Sequence, residues 1–389
     1  MKGRALKLAR NYLYKRFLKV ISRGKASKLK QIFSGVPQGG KLSTDLWNFD
    51  VNEIDLAVGD DGDLFCYADD NFIWYEVTEE NRRFILQVIN TDLQALANWA
   101  RDNKTTFEHS KTYAQVFSRK PNPIDPYGML FFEHHEVEVV EVQKVVGYTL
   151  DSKLTWGPMV DGLAKKARKR LAALVRLKSM LDSENLKTMY TMFVRSIMEY
   201  GSIAWMGAAD AHLKKLDRVQ AAAEKVGGFT VEALGVRREA AAVAFALKSM
   251  AGKTRGVLKD FIPAVQEVRA PDNVCAAVRS KQYGWLMPSY KNHTSLDLYK
   301  RGFWGVLPKI WSTLPQELVS EGRSRGWLRI KSRCTRHIIH GHSPKKSLGK
   351  PKSKSKQRSD FTPENHSTKL NNELNVSAPR WYRTFYLRI

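Results

Sequence analysis

The chain has 389 residues, 43% of them hydrophobic, and a formal net charge of +25. That apolar fraction can build cores for two or three domains, which excludes a wholly disordered chain. Three cysteines, Cys66, Cys275 and Cys334, exclude a disulfide-held scaffold and fit a reducing compartment.

No apolar run reaches the length of a bilayer span, and none follows the basic start as a signal peptide requires, so we expect a soluble, intracellular protein with no membrane partner, or at most one associated with membranes through charge. Residues 1–44 hold 12 Lys/Arg and residues 323–358 hold 13, with no Asp or Glu in either stretch. These two segments carry the whole excess charge and leave a neutral body. Segregated positive charge suits a polyanion, because neutralising phosphates releases counterions. A solvated basic surface is the competing reading of either run alone.

In chain order, residues 5–21 read as a basic helix, or a helix plus a strand, and lead to the loop Phe33-Ser34-Gly35-Val36-Pro37-Gln38-Gly39-Gly40. Leu42 to Val58 returns to helical spacing, with Leu42, Leu46, Phe49 and Ile54 available for one buried face. A Gly/Asp turn at 59–63 precedes two short apolar runs, Leu64–Tyr67 and Phe72–Tyr75, separated by Ala68-Asp69-Asp70-Asn71; this is a strand, a tight turn and a returning strand. Thr78 caps a helix running to about Arg101, with Ile85, Ile89, Leu93, Leu96 and Ala100 on one face. Strands are expected at Ala114–Phe117 and Val137–Val142.

From Pro158 to Val226 the spacing is helical throughout. Leu163, Ala167, Leu171, Leu174 and Leu181 form one stripe, and Leu186, Tyr190, Phe193 and Ile197 the next. The fold class is therefore α+β followed by a helical bundle. The stretch from Phe303 to Pro315 is apolar enough to pack, whereas 341–380 is Ser/Lys/Pro/Asn-rich and reads as disordered. Cys334-x-x-His337-x-x-His340-x-His342 fits no zinc spacing, and His134-His135 reads as a loop feature.

Two adjacent carboxylates at a hairpin tip repel one another unless a cation lies between them. A divalent metal supplies that cation, and phosphoryl transfer uses such ions to activate a hydroxyl and hold leaving oxygens. Asp-Asp in a turn is also ordinary turn chemistry, so the pair alone decides little.

Its surroundings decide more. Tyr67-Ala68-Asp69-Asp70 between apolar strands, preceded by Ser34-Gly35-Val36-Pro37-Gln38-Gly39, resembles the reverse transcriptases of non-LTR (LINE-type, jockey-like) retrotransposons. The resemblance continues in order through Trp99-Ala100-Arg101-Asp102-Asn103, Lys111-Thr112, Val116–Lys120, Val146–Asp151, Tyr200–Trp205, Leu216–Gln220 and Ile310–Pro315.

It implies a partial polymerase palm, an antiparallel sheet with helices, over 1–150. A helical thumb would follow over 151–265, a helical extension over 266–322 and a basic, largely disordered tail over 323–389. It implies Asp69 and Asp70 as ligands of Mg2+, or Mn2+, and Lys111 as proton donor to departing pyrophosphate. Gly35, Pro37, Gln38, Gly39, Tyr67 and Ala68 would border template and incoming nucleotide, and Gly147 and Tyr148 the primer end. The implied partners are an RNA template, a DNA primer and dNTPs, and the oligomeric state stays open. Lys165, Lys166, Lys169, Arg170 and Arg176 lie opposite the apolar stripe of the first bundle helix; they either track a nucleic-acid backbone or are solvated.

The same resemblance calls for a third carboxylate on a neighbouring strand ahead of the Gly-Val-Pro-Gln loop, yet the first aspartate here, Asp45, follows that loop. Thr44 also stands where proline is usual. We therefore expect an N-terminally truncated polymerase, inactive by itself. Two alternatives are a non-catalytic nucleic-acid-binding remnant and a chain kept from folding stably because its sheet lacks a central strand and exposes an edge. Lys345-Lys346 and the Lys350–Lys356 run permit nuclear import.

Overall fold

The computed structural model describes residues 2–118, 129–250, 253–254, 266–268, 284–286, 301–311, 313–314, 338 and 384–388. They fall into two compact units, Met1–Glu141 with Trp381–Ile389, and Val142–Arg380. Cys334, His337, His340, His342 and most of the basic tail lie outside the described residues.

The first unit runs α1 (Gly3–Leu13), β1 (Arg16–Leu18), β2 (Ile21–Ser22), β3 (Lys25–Ala26), β4 (Lys30–Ile32) and α2 (Lys41–Asp50). After a 3-10 turn at Ile54–Ala57 come β5 (Gly62–Tyr67), β6 (Asp70–Glu76), α3 (Ile85–Asp102), β7 (Tyr113–Phe117), β8 (Phe131–Phe132), β9 (His135–Glu136) and β10 (Glu138–Val139). The second unit holds the hairpin β11 (Val142–Val145) and β12 (Tyr148–Asp151), then α4 (Gly157–Val175) and α5 (Ser183–Met189). A π-turn at Tyr190–Arg195 leads to α6 (Ser196–Glu199), α7 (Ser202–Trp205), α8 (Asp210–Gly227) and α9 (Leu234–Met250). Strands β13 (Gln266–Val268) and β14 (Gly284–Leu286) and helix α10 (Phe303–Trp311) follow. The last strand, β15 (Thr384–Arg388), returns to the first unit. The chain is thus a mixed helix and strand protein.

A five-stranded sheet, ordered β10-β7-β15-β6-β5, organises the first unit. Strand β15 pairs antiparallel with both β6 and β7, so those two run parallel to each other and α3 makes the crossover between them. Ile85, Ile89, Leu93, Leu96 and Ala100 of α3 are all buried, as their spacing predicts, and the first four join Ile73 and Tyr75 of β6 and Ala114 of β7 in one core. Burial of each such aliphatic side chain contributes about 1.5–3 kcal/mol. Asp92 is buried in the same helix, where its carboxylate accepts hydrogen bonds from the Tyr75 hydroxyl at 2.8 Å and the Gly59 amide at 3.0 Å. The helix begins later than Thr78 suggests, because Thr78 and Asn81 cap each other's amides and fix a turn ahead of Ile85.

Two expected apolar faces differ. Phe49 is 64% exposed, because α2 stops at Asp50 and only Ile54, in the following 3-10 turn, reaches the core. In the second unit the π-turn carries one extra residue and shifts the buried face, so Leu186, Tyr190, Val194 and Met198 are buried while Phe193 is exposed. On α4 the stripe Leu163, Ala167, Leu171 and Leu174 is buried as its spacing predicts, against α8 residues Leu216, Val219 and Ala223. Helix α10 packs Phe303, Leu307, Ile310 and Trp311 with Val243, Ala246 and Leu247 of α9.

Thr384–Arg388, at the end of the tail expected to be largely disordered, forms a strand. The sheet likewise does not present an open edge between β6 and β7, because β15 occupies that place. His135 lies in the short β8–β9 hairpin rather than a loop, its ring 4.3 Å from that of His109.

Candidate active site

The loop between β4 and α2 is held from both sides. Gly35 and Gly39 have φ values of 73° and 80°, a region glycine enters without steric cost, and a Cβ at either would meet nothing within 4 Å. The Arg16 guanidinium donates to the carbonyls of Ser34 and Gly35 at 3.1 and 2.7 Å. Ser43 of α2 donates to the Pro37 carbonyl, and the Tyr12 hydroxyl lies 2.9 Å from Ser43 Oγ. Gly40 has no room for a side chain between Tyr12 and Ser43. The result is a fixed loop with Gln38 and Gly39 exposed and Pro37 half-buried.

The carboxylates lie on the β5–β6 hairpin. Tyr67 pairs with Asp70, so the turn itself is only Ala68-Asp69, tighter than the four-residue turn the sequence suggests. Ala68 has φ 56°, the left-handed conformation that two-residue hairpin turns require at their first position. Its carbonyl accepts a hydrogen bond from Trp47 Nε1 of α2 at 2.9 Å, tying the turn to the helix that follows the loop. Asp69 is exposed at the tip, Asp70 half-buried beside it, and Tyr67 exposed. Asp69 has no ion-pair partner among the described residues.

Lys111 is exposed at the end of a 3-10 turn, two residues before Tyr113. Tyr113 and Phe72 both stand opposite Arg388 of β15, so Lys111 and Asp70 lie at the same end of the sheet. One intervening strand spaces β6 from β7 by about 10 Å.

Two neighbouring carboxylates suit a hard divalent ion, which takes oxygen ligands and completes its shell with water and substrate phosphates. No group of three or more His, Cys, Asp or Glu able to hold a metal occurs among the described residues. Among the described residues the turn thus brings two carboxylates together without a third.

In the second unit, Val146 and Gly147 form the two-residue β11–β12 turn, with φ values of 45° and 84°. The Tyr200 hydroxyl donates to the Val146 carbonyl at 3.1 Å, and the rings of Tyr148 and Tyr200 lie 5.6 Å apart. Burial, and then the neighbouring Tyr200, raise the Tyr148 pKa. Asp151 closes the hairpin onto α4: its carboxylate accepts from the Thr155 amide and hydroxyl and from the Trp156 amide, at 2.8–2.9 Å. On α4 and its C-cap, Lys165, Lys166, Lys169, Arg170 and Arg176 are all exposed.

Sequence reasoning missed three residues that shape these surfaces. Arg16 fastens the loop, Trp47 fastens the turn, and Arg168 adds an exposed cation to α4. Arg168 was legible from helical spacing, since it lies one residue from the predicted face. Arg16 and Trp47 act through backbone carbonyls distant in sequence, which no local pattern encodes.

Residues 2–148 match the reverse transcriptase (RNA-dependent DNA polymerase) family, a span that holds the loop, the carboxylate hairpin and the Val146–Tyr148 turn. A curated protein from Drosophila melanogaster, "Probable RNA-directed DNA polymerase from transposon X-element", is 26% identical over 219 residues, covering 55% of this chain. The aligned stretch spans 24% of that protein's length. No solved structure matches the chain. Motif order and family match agree: residues 2–148 match the reverse transcriptase family, and the chain is similar to an RNA-directed DNA polymerase from a transposon.

Proposed function

We propose that the chain is part of an RNA-directed DNA polymerase of a non-LTR retrotransposon, which joins dNTPs to a primer 3′-hydroxyl on an RNA template. The observation that carries this reading is Asp69 and Asp70 at a strained two-residue hairpin tip, braced by Trp47. In this reading residues 1–150 are a partial palm and 151–265 a thumb, whereas the expected extension over 266–322 and tail over 323–389 lie largely outside the described residues. Lys345-Lys346 and the Lys350–Lys356 run permit nuclear import.

Asp69 and Asp70 hold Mg2+, with Mn2+ as a substitute. A metal held there would supply a lowered pKa for an attacking hydroxyl and charge neutralisation at phosphate oxygens. Lys111, at the same sheet end as Asp70, donates a proton to the departing pyrophosphate oxygen. Gly35 and Gly39 let the loop backbone approach the nucleotide, with Pro37 stiffening it, and Gln38, Tyr67 and Ala68 border template and nucleotide. Gly147 and Tyr148 position the primer end, and Lys165, Lys166, Lys169, Arg170 and Arg176 neutralise backbone phosphates.

These 389 residues bring two carboxylates to the turn where the resemblance calls for three. The chain alone is therefore proposed to bind nucleic acid and metal without extending a primer. Incubation with primed RNA, dNTPs and Mg2+ or Mn2+ tests this. No extension is expected; extension that vanishes on Asp69→Ala contradicts it. The exposed cations of α4 favour nucleic-acid binding without catalysis as the second reading.

A further inference from the structure

Strand β15 comes from the far end of the chain, yet it is the middle strand of the sheet that carries the carboxylate hairpin. Its neighbours β6 and β7 run parallel and are joined by α3, an arrangement known as a split βαβ unit. Such a unit leaves a slot one strand wide between its parallel strands, which an extended segment fills with backbone hydrogen bonds on both sides; here that segment runs antiparallel to both neighbours. Among the described residues Thr384–Arg388 alone does so, pairing over its whole length with Phe72–Glu76 on one side and Tyr113–Phe117 on the other.

The sequence of the segment suits the slot. Phe385 and Leu387 alternate with polar-edged Thr384, Tyr386 and Arg388, the period of a strand covered on one face. In register they stand opposite Tyr75 and Ile73 of β6, both fully buried against α3, and Leu387 also opposes fully buried Ala114 of β7. Trp74 and Phe117, on strands separated by β15, stack with ring centroids 5.6 Å apart, so the flanking strands also meet across it. The segment carries no carboxylate, and Arg388 stands opposite Phe72, two residues beyond Asp70.

We propose that the β6–β7 slot is a strand-binding groove and that the chain's own C-terminal segment, Thr384–Arg388, is its resident ligand, completing in cis the sheet that presents Asp69 and Asp70. The tail thereby acts as a removable central strand. Its loss leaves two inward-facing rows of unpaired backbone groups and frees the β6 end of the hairpin. The groove takes an extended antiparallel segment with aromatic or aliphatic residues at alternate positions. This assignment rests on strand pairing and holds whether or not the turn is catalytic.

The test is disulfide trapping in the full chain. Glu76 is exposed and stands opposite Thr384, and directly opposed strand residues are close enough for a disulfide. Glu76→Cys with Thr384→Cys is expected to give an intrachain cross-link under mild oxidation, absent from either single variant. Hydrogen exchange is read in parallel. The amides of Phe72–Glu76 and Tyr113–Phe117 should lose protection in a chain ending at Arg380 and regain it when a synthetic peptide of residues 381–389 is added. A Leu387→Pro peptide should fail to restore it. Absence of the cross-link, a cross-link formed only between two chains, or equal protection with and without residues 381–389 would each overturn the proposal. None of these readouts depends on polymerase activity.

Discussion

Trp47 Nε1 donates to the carbonyl of Ala68 at 2.9 Å, so the helix after the glycine loop directly braces the turn that exposes Asp69. Trp47→Phe keeps the ring and removes the donor. It is expected to cost about 1 kcal/mol, the net worth of one hydrogen bond. Faster exchange of the Asp69 and Asp70 amides should accompany it, measured by mass spectrometry, with β7 unchanged. Unaltered exchange at the turn would show that the brace is dispensable.

Tyr75 and Asp92 make a pH-dependent pair. Burial, then the hydrogen bond to Asp92, then its charge raise the Tyr75 pKa well above the usual value of 10.0. A folded-state pKa raised above the unfolded one gives stability that is fully present below pH ~10 and lost as pH rises beyond it. Urea melts of the native chain should weaken above that pH more steeply than those of Tyr75→Phe. At neutral pH the variant should be less stable by about 1–2 kcal/mol, because Asp92 loses a buried donor.

Gly201 has φ 58°, and a Cβ there would collide with the Tyr148 ring. Gly201→Ala is expected to destabilise by at least about 2 kcal/mol, from left-handed backbone strain and overpacking together. Adding Tyr148→Ala should recover the overpacking part and not the backbone part. Thermal melts of the single and double variants separate the two contributions.

The α4 cations should grip phosphates without reading sequence. Replacing Lys165 and Lys169 with alanine is expected to weaken binding of an RNA–DNA hybrid by a similar factor for every sequence. The slope of log affinity against log salt should fall by roughly one per contact removed. Fluorescence anisotropy across a salt series measures this, and an unchanged slope would mark these lysines as merely solvated.

Local features of this chain were legible and remote ones were not. The α3 stripe Ile85-Ile89-Leu93-Leu96 and the apolar runs around Asp69-Asp70 carry their periodicity within a few residues, and both appear as read. Phe193 is exposed against its predicted burial because a π-turn breaks the 3.6-residue period. Strand β15 is five residues long, and its partners are more than two hundred and sixty residues away. A pairing that distant leaves no trace in local spacing. At the site, the loop glycines and the carboxylates announced themselves by type, whereas Arg16 and Trp47 act through backbone atoms of other segments.

We propose that Asp69 and Asp70 form a metal-binding turn. Mn2+ titrated into the chain with dNTP, followed by electron paramagnetic resonance, tests it most directly. Bound Mn2+ is expected in the native chain, and its loss on Asp69→Asn with Asp70→Asn, at unchanged circular dichroism. Equal Mn2+ binding by the native and doubly substituted chains would contradict it.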